Sequence, residues 1–341
     1  MMKLFNPRKG IGMALLLCMA GWVQSQDLHF SQFMNNPLLT NPANTGFNPD
    51  YDYRVGGSYR NQWWSLPVPY KTVSLWGDMQ ISRESIPNGW LGIGGVLLND
   101  VAGSGGLTST KMYGSIAYHQ ELGENHLLSA GFNLGFASKR IDLQSFKWEN
   151  QWNGKFFDSN IGSGEAFAFS QVGYLDMQAG LNYAYFPNEN VYFNAGVSMM
   201  HLNTPRESFF SEDVSNNRIP VRYTAFANMS FKANEQWILS PNVYYSQQAG
   251  ASELVGGLMA QYNLSGGGET QVLGGGYFRP GDAAIAMIGL EWNATRLTFS
   301  YDATLSNVKN FNNGNGAIEF SLVKFGAFGT STPRQSRCPA F

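Results

Sequence analysis

Histidine is the side chain most often recruited for acid–base work, and this sequence holds four: His29, His119, His126 and His201. A hydrolytic site needs one of them within hydrogen-bonding reach of a nucleophile. They scatter over segments that read as strand, turn and loop. His119 shares one side of a strand with Ser115, but four positions along a strand is too far for such a pair. His119 therefore reads as a member of a polar interior network. No His/Cys/Asp cluster has the spacing of metal ligands. The glycine runs at 266–268 and 274–276 lack the lysine that follows in a phosphate-binding loop. No enzyme activity, cofactor or metal is expected.

Aromatic residues offer binding rather than catalysis. The stretch "SKRIDLQSFKWENQWNGKFFDSNIGSGEAFAFSQV" reads as one long loop carrying Phe146, Trp148, Trp152, Phe156 and Phe157. A loop of that length in a compact structure is usually functional or disordered. Clustered Trp and Phe at an exposed rim suit a protein-binding hot spot; folded inward, the same side chains would cork whatever lies beneath. "ESFFSED", with Phe209 and Phe210, is a weaker case, and "RNQWWSLPVPY" reads as a loop with Arg60, Gln62, Trp63 and Trp64.

The elements that would carry these loops are strands. In "RLTFSYDATL", Leu297, Phe299, Tyr301 and Ala303 alternate with Arg296, Thr298, Ser300 and Asp302. "LDMQAGLNYAY" sets Leu175, Met177, Ala179 and Leu181 against Asp176, Gln178, Gly180 and Asn182. Such alternation is the strand signal, because successive side chains leave opposite faces. About fourteen such segments follow one another, each near the 9–11 residues a tilted strand needs to cross a bilayer. They begin near residues 51, 71, 89, 108, 126, 174, 190, 218, 236, 251, 269, 282, 294 and 315. Connections after even-numbered strands are mostly short, as in "GEN", "PNEN" and "ANEQ", whereas the long ones all follow odd-numbered strands. That parity predicts an all-β, transmembrane antiparallel barrel with short periplasmic turns, long extracellular loops and both chain ends in the periplasm. Hydrocarbon demands closure, since every backbone polar group must be paired. Pro241 deletes one ladder donor inside a strand and suggests a bulge or a weak seam.

The rest of the composition agrees. Charged residues make up 13% of the 341, below the roughly 25% of soluble domains, with 14% aromatics and 39 glycines. Mean hydropathy is slightly negative, which excludes a bundle of apolar helices, and a net charge of −2 gives no hint of nucleic acid. Lys3, Arg8 and Lys9 before "IGMALLLCMAGWV" read as a secretory signal cut after Ser25. A lipoprotein signal at Cys18 is disfavoured by the bulky Leu17 before it. Cleavage leaves Cys338 as the one cysteine, so no intrachain disulfide is expected. The expected division is a signal over 1–25, a periplasmic segment over 26–50, the barrel over 51–326 and a periplasmic tail over 327–341. The predicted interior mixes signs: Asp52, Arg54, Arg60, Asp78, His119, Asp176, Arg222, Lys232, Glu253, Glu291, Arg296, Asp302 and Glu319. A selective pore concentrates one sign, so a filled interior is favoured over an open channel.

"HFSQFMNNPLLTNPANTGF", residues 29–47, has apolar side chains that need cover, yet its prolines deny it helical or strand periodicity. It reads as an extended segment whose Asn amides bond local backbone in turns. With "YRNQWWSLPVPYKTVSLWGDM", "GIGGVLLNDVAG", "SIAYHQEL", "LSAGFNLG", "YDATLS" and the terminal "RCPAF", it resembles the PorP/SprF family of outer-membrane proteins of the type IX secretion system. The resemblance runs from Gln26 to Phe341. It implies an outer-membrane barrel that assists secretion or surface attachment of cargo proteins, gliding adhesins included, whose C-terminal domains pass through a separate translocon. The implied partners are outer-membrane lipid, the cargo C-terminal domain and other secretion components, with no nucleic acid. It directs attention to His29, Phe30, Ser31, Gln32, Asn36, Pro37, Asn41 and Pro42, to Arg60, Gln62 and Trp63, and to Cys338, Pro339 and Phe341. Ala340 departs from the larger or charged residue of many relatives. The two terminal motifs are expected to pack under or into the inner mouth, as a plug or as a docking surface. The competing functions are a channel for small solutes and a membrane-embedded hydrolase.

Overall fold

The computed structural model describes residues 28–328 apart from 49–50, 84, 104–105, 144–145, 159, 165–168, 211–216 and 266–268. Cys338, Pro339 and Phe341 lie outside the described residues. Fourteen strands follow in order: β1 (Tyr53–Gln62), β2 (Tyr70–Ile81), β3 (Gly89–Ala102), β4 (Leu107–Glu121), β5 (His126–Arg140), β6 (Gln171–Asn188), β7 (Val191–Met200), β8 (Arg222–Lys232), β9 (Trp237–Gln248), β10 (Ala251–Asn263), β11 (Thr270–Arg279), β12 (Ala283–Trp292), β13 (Thr295–Thr304) and β14 (Asn315–Gly326). Each pairs antiparallel with its neighbours in sequence, and β1 pairs with β14 through Tyr53↔Gly326 to Gln62↔Ala317. The sheet is a closed barrel and has no edge to expose.

Alternation sets the two faces as the sequence predicts. Leu75, Met112, Leu175 and Ile288 point outward and are more than half exposed, the apolar face a bilayer covers. Asp78, His119, Asp176, Asp302 and Glu319 point inward and are buried. Every strand begins within four residues of its expected start. The long connections, 141–170, 201–221 and 305–314, all follow odd strands, so one rim carries long loops and the other short turns. Pro241 is neither bulge nor shift: β9 keeps its register against β8 from Asn228↔Asn242 to Phe231↔Leu239, with the pairs between them missing. The weak-seam alternative describes it, a local gap in the ladder.

Two placements differ from expectation. Arg60 and Gln62 belong to β1 rather than to a loop, because the alternation of "YRVGGSYRNQ" continues through them and Arg60 falls on the inward face. Of the two placements expected for the opening motif, under or into the inner mouth, it takes the second, and it goes far deeper than the mouth. Residues 28–48 run through its interior, from the long-loop half at Leu28 to the short-turn rim at Asn48. Nor is the motif extended. It forms three single turns, Phe33–Asn35, Pro37–Thr40 and Pro42–Asn44. Pro37 and Pro42 each open a turn, where a missing N–H costs nothing. Asn41 Oδ1 accepts from Ala43 N at 2.9 Å, the local amide bonding anticipated for the Asn-Pro pairs.

Candidate functional site

The interior segment is held at three heights, each by chemistry suited to what the wall offers. Near the long-loop rim, Glu319 of β14 accepts the backbone N–H of Ser31 (2.7 Å) and of Gln32 (2.9 Å). The same carboxylate pairs with Arg60 of β1, whose Nη1 also reaches Asp302 Oδ2 at 3.2 Å. The Ser31 hydroxyl donates to Asp302 (2.6 Å) and accepts from Arg60 (2.9 Å) and Arg279 (2.6 Å). The Gln32 amide donates to Ser300 and accepts from Thr298 at 2.6 Å. His29 Nδ1 lies 3.1 Å from Glu253. Two guanidinium groups thus meet several carboxylates around one serine, with the charges paired as burial requires. Arg60, expected both among the loop contacts and on the interior face, is enclosed here, as the interior reading has it.

At mid-height the attachment is apolar. Leu38 is wholly buried among Trp76, Val96, Tyr113 and Val323. Phe33 joins Phe226, Tyr244, Val255 and Tyr277, stacking on Tyr244 at 5.2 Å. Fully burying an anchor of this size is worth about 1.5–3 kcal/mol. Asn36 donates to Ser58 (3.0 Å) and accepts from Ser74 (2.6 Å), satisfying a side chain that Pro37 follows directly.

Toward the short-turn rim the wall makes room by omitting side chains. Asn41 Nδ2 donates to the backbone carbonyls of Leu181 (2.9 Å) and Val197 (3.1 Å). It reaches them because Gly180 and Gly196 face inward: a Cβ there would come 2.8 Å from Asn41 Cγ and 2.7 Å from its Nδ2. A Cβ on Gly131 would overlap the backbone of Pro42 and Ala43. Gly46, at φ +64°, lies so close to Gly92 that a Cβ would meet its Cα at 2.6 Å. His119, between Thr45 O (2.8 Å) and Ser129 Oγ (2.7 Å), stacks on Trp90 at 4.8 Å. Both ring nitrogens are occupied, as the polar-network reading of His119 anticipates. Trp90 Nε1 donates to Gly46 O at 2.9 Å, and Gly46 N donates to Asp78 at 2.7 Å.

Pro42, Asn36, Ser31 and Gln32 therefore meet in one structure, and the wall residues that grip them were only partly legible. Asp302 and Glu319 were on the predicted inward face without assigned partners, and Arg279 was missed. The signal for the docking track was glycine on the inward face of alternating strands: Gly92, Gly131, Gly180 and Gly196.

On the other side of the long-loop rim stand the aromatics. In the 141–170 connection, Trp152 bridges Phe157 with rings 5.3 Å apart, and Asn153 N donates to Phe156 O. Trp152, Phe156 and Phe157 are about half exposed. They do not fold inward as a cork, since the N-terminal segment already fills that space. Phe146 and Trp148 pack together at 5.2 Å, half-buried, as are Phe209 and Phe210. Trp63, at φ 55°, sets its ring edge-on to Tyr70, and Trp64 is exposed. Gln62 accepts from Arg60 at the top of β1.

No curated protein sequence matches the chain. Among solved structures it is similar to the toluene transporter TodX of Pseudomonas putida (10% identity over 85% of this chain and 92% of that one, TM-score 0.49). It is similar also to the CymD monoaromatic hydrocarbon channel (11% identity, 87% and 94%, TM-score 0.48) and to the translocator domain of the autotransporter NalP of Neisseria meningitidis (11%, 86% and 94%, TM-score 0.44). The family model for the type IX secretion system membrane protein PorP/SprF matches residues 23–323. With that match over nearly the whole of a closed barrel with an apolar outer face, the chain is an outer-membrane protein and belongs to the PorP/SprF family of the type IX secretion system.

Proposed function

We propose that this barrel acts without catalysis, as an accessory that helps secrete cargo proteins or hold them at the cell surface by their C-terminal secretion domains. The observation that carries this reading is the pairing of a lumen filled by the protein's own chain with an exposed aromatic hairpin at the long-loop rim. A folded cargo domain has no route through such an interior, so its contact falls on the surface. Trp152, Phe156 and Phe157, with Trp64 exposed on the loop after β1 at the same rim, supply the rigid aromatic anchors that hot spots use. In this reading the long-loop rim faces outward and the short turns face the periplasm, where other secretion components meet the barrel. The residues from His29 to Pro42 act on those partners only indirectly, by fixing the wall from within. Gliding adhesins are cargo of the implied class.

Replacing Trp152, Phe156 and Phe157 together by serine tests the proposal. Surface-labelled cargo should fall several-fold, while the amount of heat-modifiable barrel in the outer membrane stays constant. Cargo attached at the normal level in that variant would remove the proposed contact.

A further inference from the structure

The segment fills the lumen unevenly. Residues 40–47 press on the β2–β7 side, where His119, Ser129, Asn133 and Asn182 are almost wholly buried. On the opposite side, toward the short-turn rim, the inward-facing Asn228, Ser230, Gln261 and Arg296 are only half-buried. A cavity of about 140 Å³ lies there, roofed by Met34 and Asn35. Its size is on the order of the ~150 Å³ that admits one six-membered ring. Above it, toward the long loops, a second space of about 40 Å³ opens between His29, Lys111, Met200 and Arg222. Phe33 lines the upper space and Met34 the lower.

Among the described residues, one layer of side chains divides the two. Phe33 stacks on Tyr244, and the Tyr277 hydroxyl donates to Met34 Sδ at 3.7 Å. Phe226, Val255, Met259 and Leu273 complete an apolar collar around them. Below the collar the lining mixes amides and hydroxyls with Met259, Leu273 and Met287, and the charged Arg296 is paired with Glu291 at 2.7 Å. A chamber carrying polar groups on each side of an apolar constriction is the arrangement of a pore closed by dewetting.

We propose that this side of the lumen is a conduit for small hydrophilic solutes. It is closed by Phe33 and Met34 against Tyr244 and Tyr277, and latched by the grip of Glu319 and Arg60 on Ser31 and Gln32. The lower chamber holds one guanidinium, Arg296, paired with Glu291, and the upper chamber adds Lys111 and Arg222, so the conduit carries uncharged solutes and favours anions over cations. This activity is independent of cargo binding at the rim and needs none of the loop aromatics.

The test is conductance of the purified full-length protein in planar bilayers, together with sugar uptake by loaded liposomes. The wild type should be nearly silent. Phe33→Ala with Met34→Ala should give a steady conductance at least tenfold above it, with a cation-to-anion permeability ratio below one. That variant should admit a pentose and exclude a trisaccharide. Tyr244→Ala opens the same layer from the wall and leaves the segment intact, so it carries the test if the double variant fails to fold. Phe33→Leu with Met34→Leu keeps the layer apolar and most of its bulk and should stay silent. The proposal is overturned if the folded, heat-modifiable Ala variants are as silent as the wild type. A wild type already conducting at their level would overturn it as well.

Discussion

Gly180→Ala should loosen the interior segment without opening the barrel, and its cost can be worked out from three contacts. The added methyl would occupy the space of Asn41 Oδ1 and sit 2.8 Å from Asn41 Cγ. Asn41 must therefore leave the carbonyls of Leu181 and Val197, two hydrogen bonds worth about 1 kcal/mol each. Where it cannot leave fully, overpacking adds about 1–3 kcal/mol. A loss of roughly 2–5 kcal/mol in segment docking follows, which at about 1.4 kcal/mol per decade is roughly a 30- to 4,000-fold change. Hydrogen exchange of the barrel in lipid nanodiscs reads it directly. Protection of the amides of Asn44, Thr45 and Gly46 should fall by that factor while amides in the β-ladder hold. Two controls sharpen the result. Gly274→Ala, on the outward face of β11 with nothing near its Cβ position, should change nothing. In an Asn41→Ala background, where the clash is gone, Gly180→Ala should cost under about 1 kcal/mol, a double-mutant coupling of about 2 kcal/mol or more. Undiminished protection in Gly180→Ala, or additive losses in the double variant, would refute the reasoning.

Glu319→Gln removes the charge that holds Arg60 and weakens acceptance from Ser31 and Gln32 N–H, so breaking this buried pair should cost about 3–5 kcal/mol. The loss is visible as new proteolytic cleavage near residue 31; a resistant variant would show that Asp302 alone suffices. Trp90→Phe keeps the ring but deletes the donor to Gly46 O, leaving a buried acceptor unpaired at about 1–3 kcal/mol, measurable by protection of Gly46 and Phe47. Deleting residues 29–42 strips the lumen of Phe33, Leu38 and Asn41 together. The barrel should insert less and lose its heat-stable folded band; a fully stable, inserted barrel with failed secretion would instead assign the motif to partner contact.

The barrel was legible because its code is local and repeated. Period-two alternation writes each strand independently, so errors stay at strand ends, as with Arg60 and Gln62, where a loop was read into the last residues of β1. Loop parity then gave the closure and the sidedness of the long loops. The interior was harder for a physical reason. Asp302, Glu319 and Arg60 lie far apart in sequence and announce only that they face inward. Which of them meets Ser31 depends on the register of β1 against β14 and on where the segment threads, and neither is written in alternation. The prolines of the motif also misled. They forbid long periodicity, but each suits the first position of a single turn, and a single turn leaves no period to detect. Gly180 was assigned to the inward face beside Asp176, Gln178 and Asn182; what that glycine was for became clear only when Asn41 was found against it.

The three heights of attachment impose an order on how the segment can move. Its upper end is held by charges, whose grip depends on pairing. Its lower end is held by shape: Asn41, Pro42 and Gly46 lie against bare backbone, where sliding by even a few tenths of an ångström meets main-chain atoms. Shape of that kind has no partial release. Movement is therefore easiest at residues 28–34 and hardest at 41–47, so the lumen opens from the long-loop side, on the half of the wall opposite the glycine track. The residues that release first stand on β1, β13 and β14 and not in the 141–170 connection, so an interior that yields at that rim needs no bound cargo to do so.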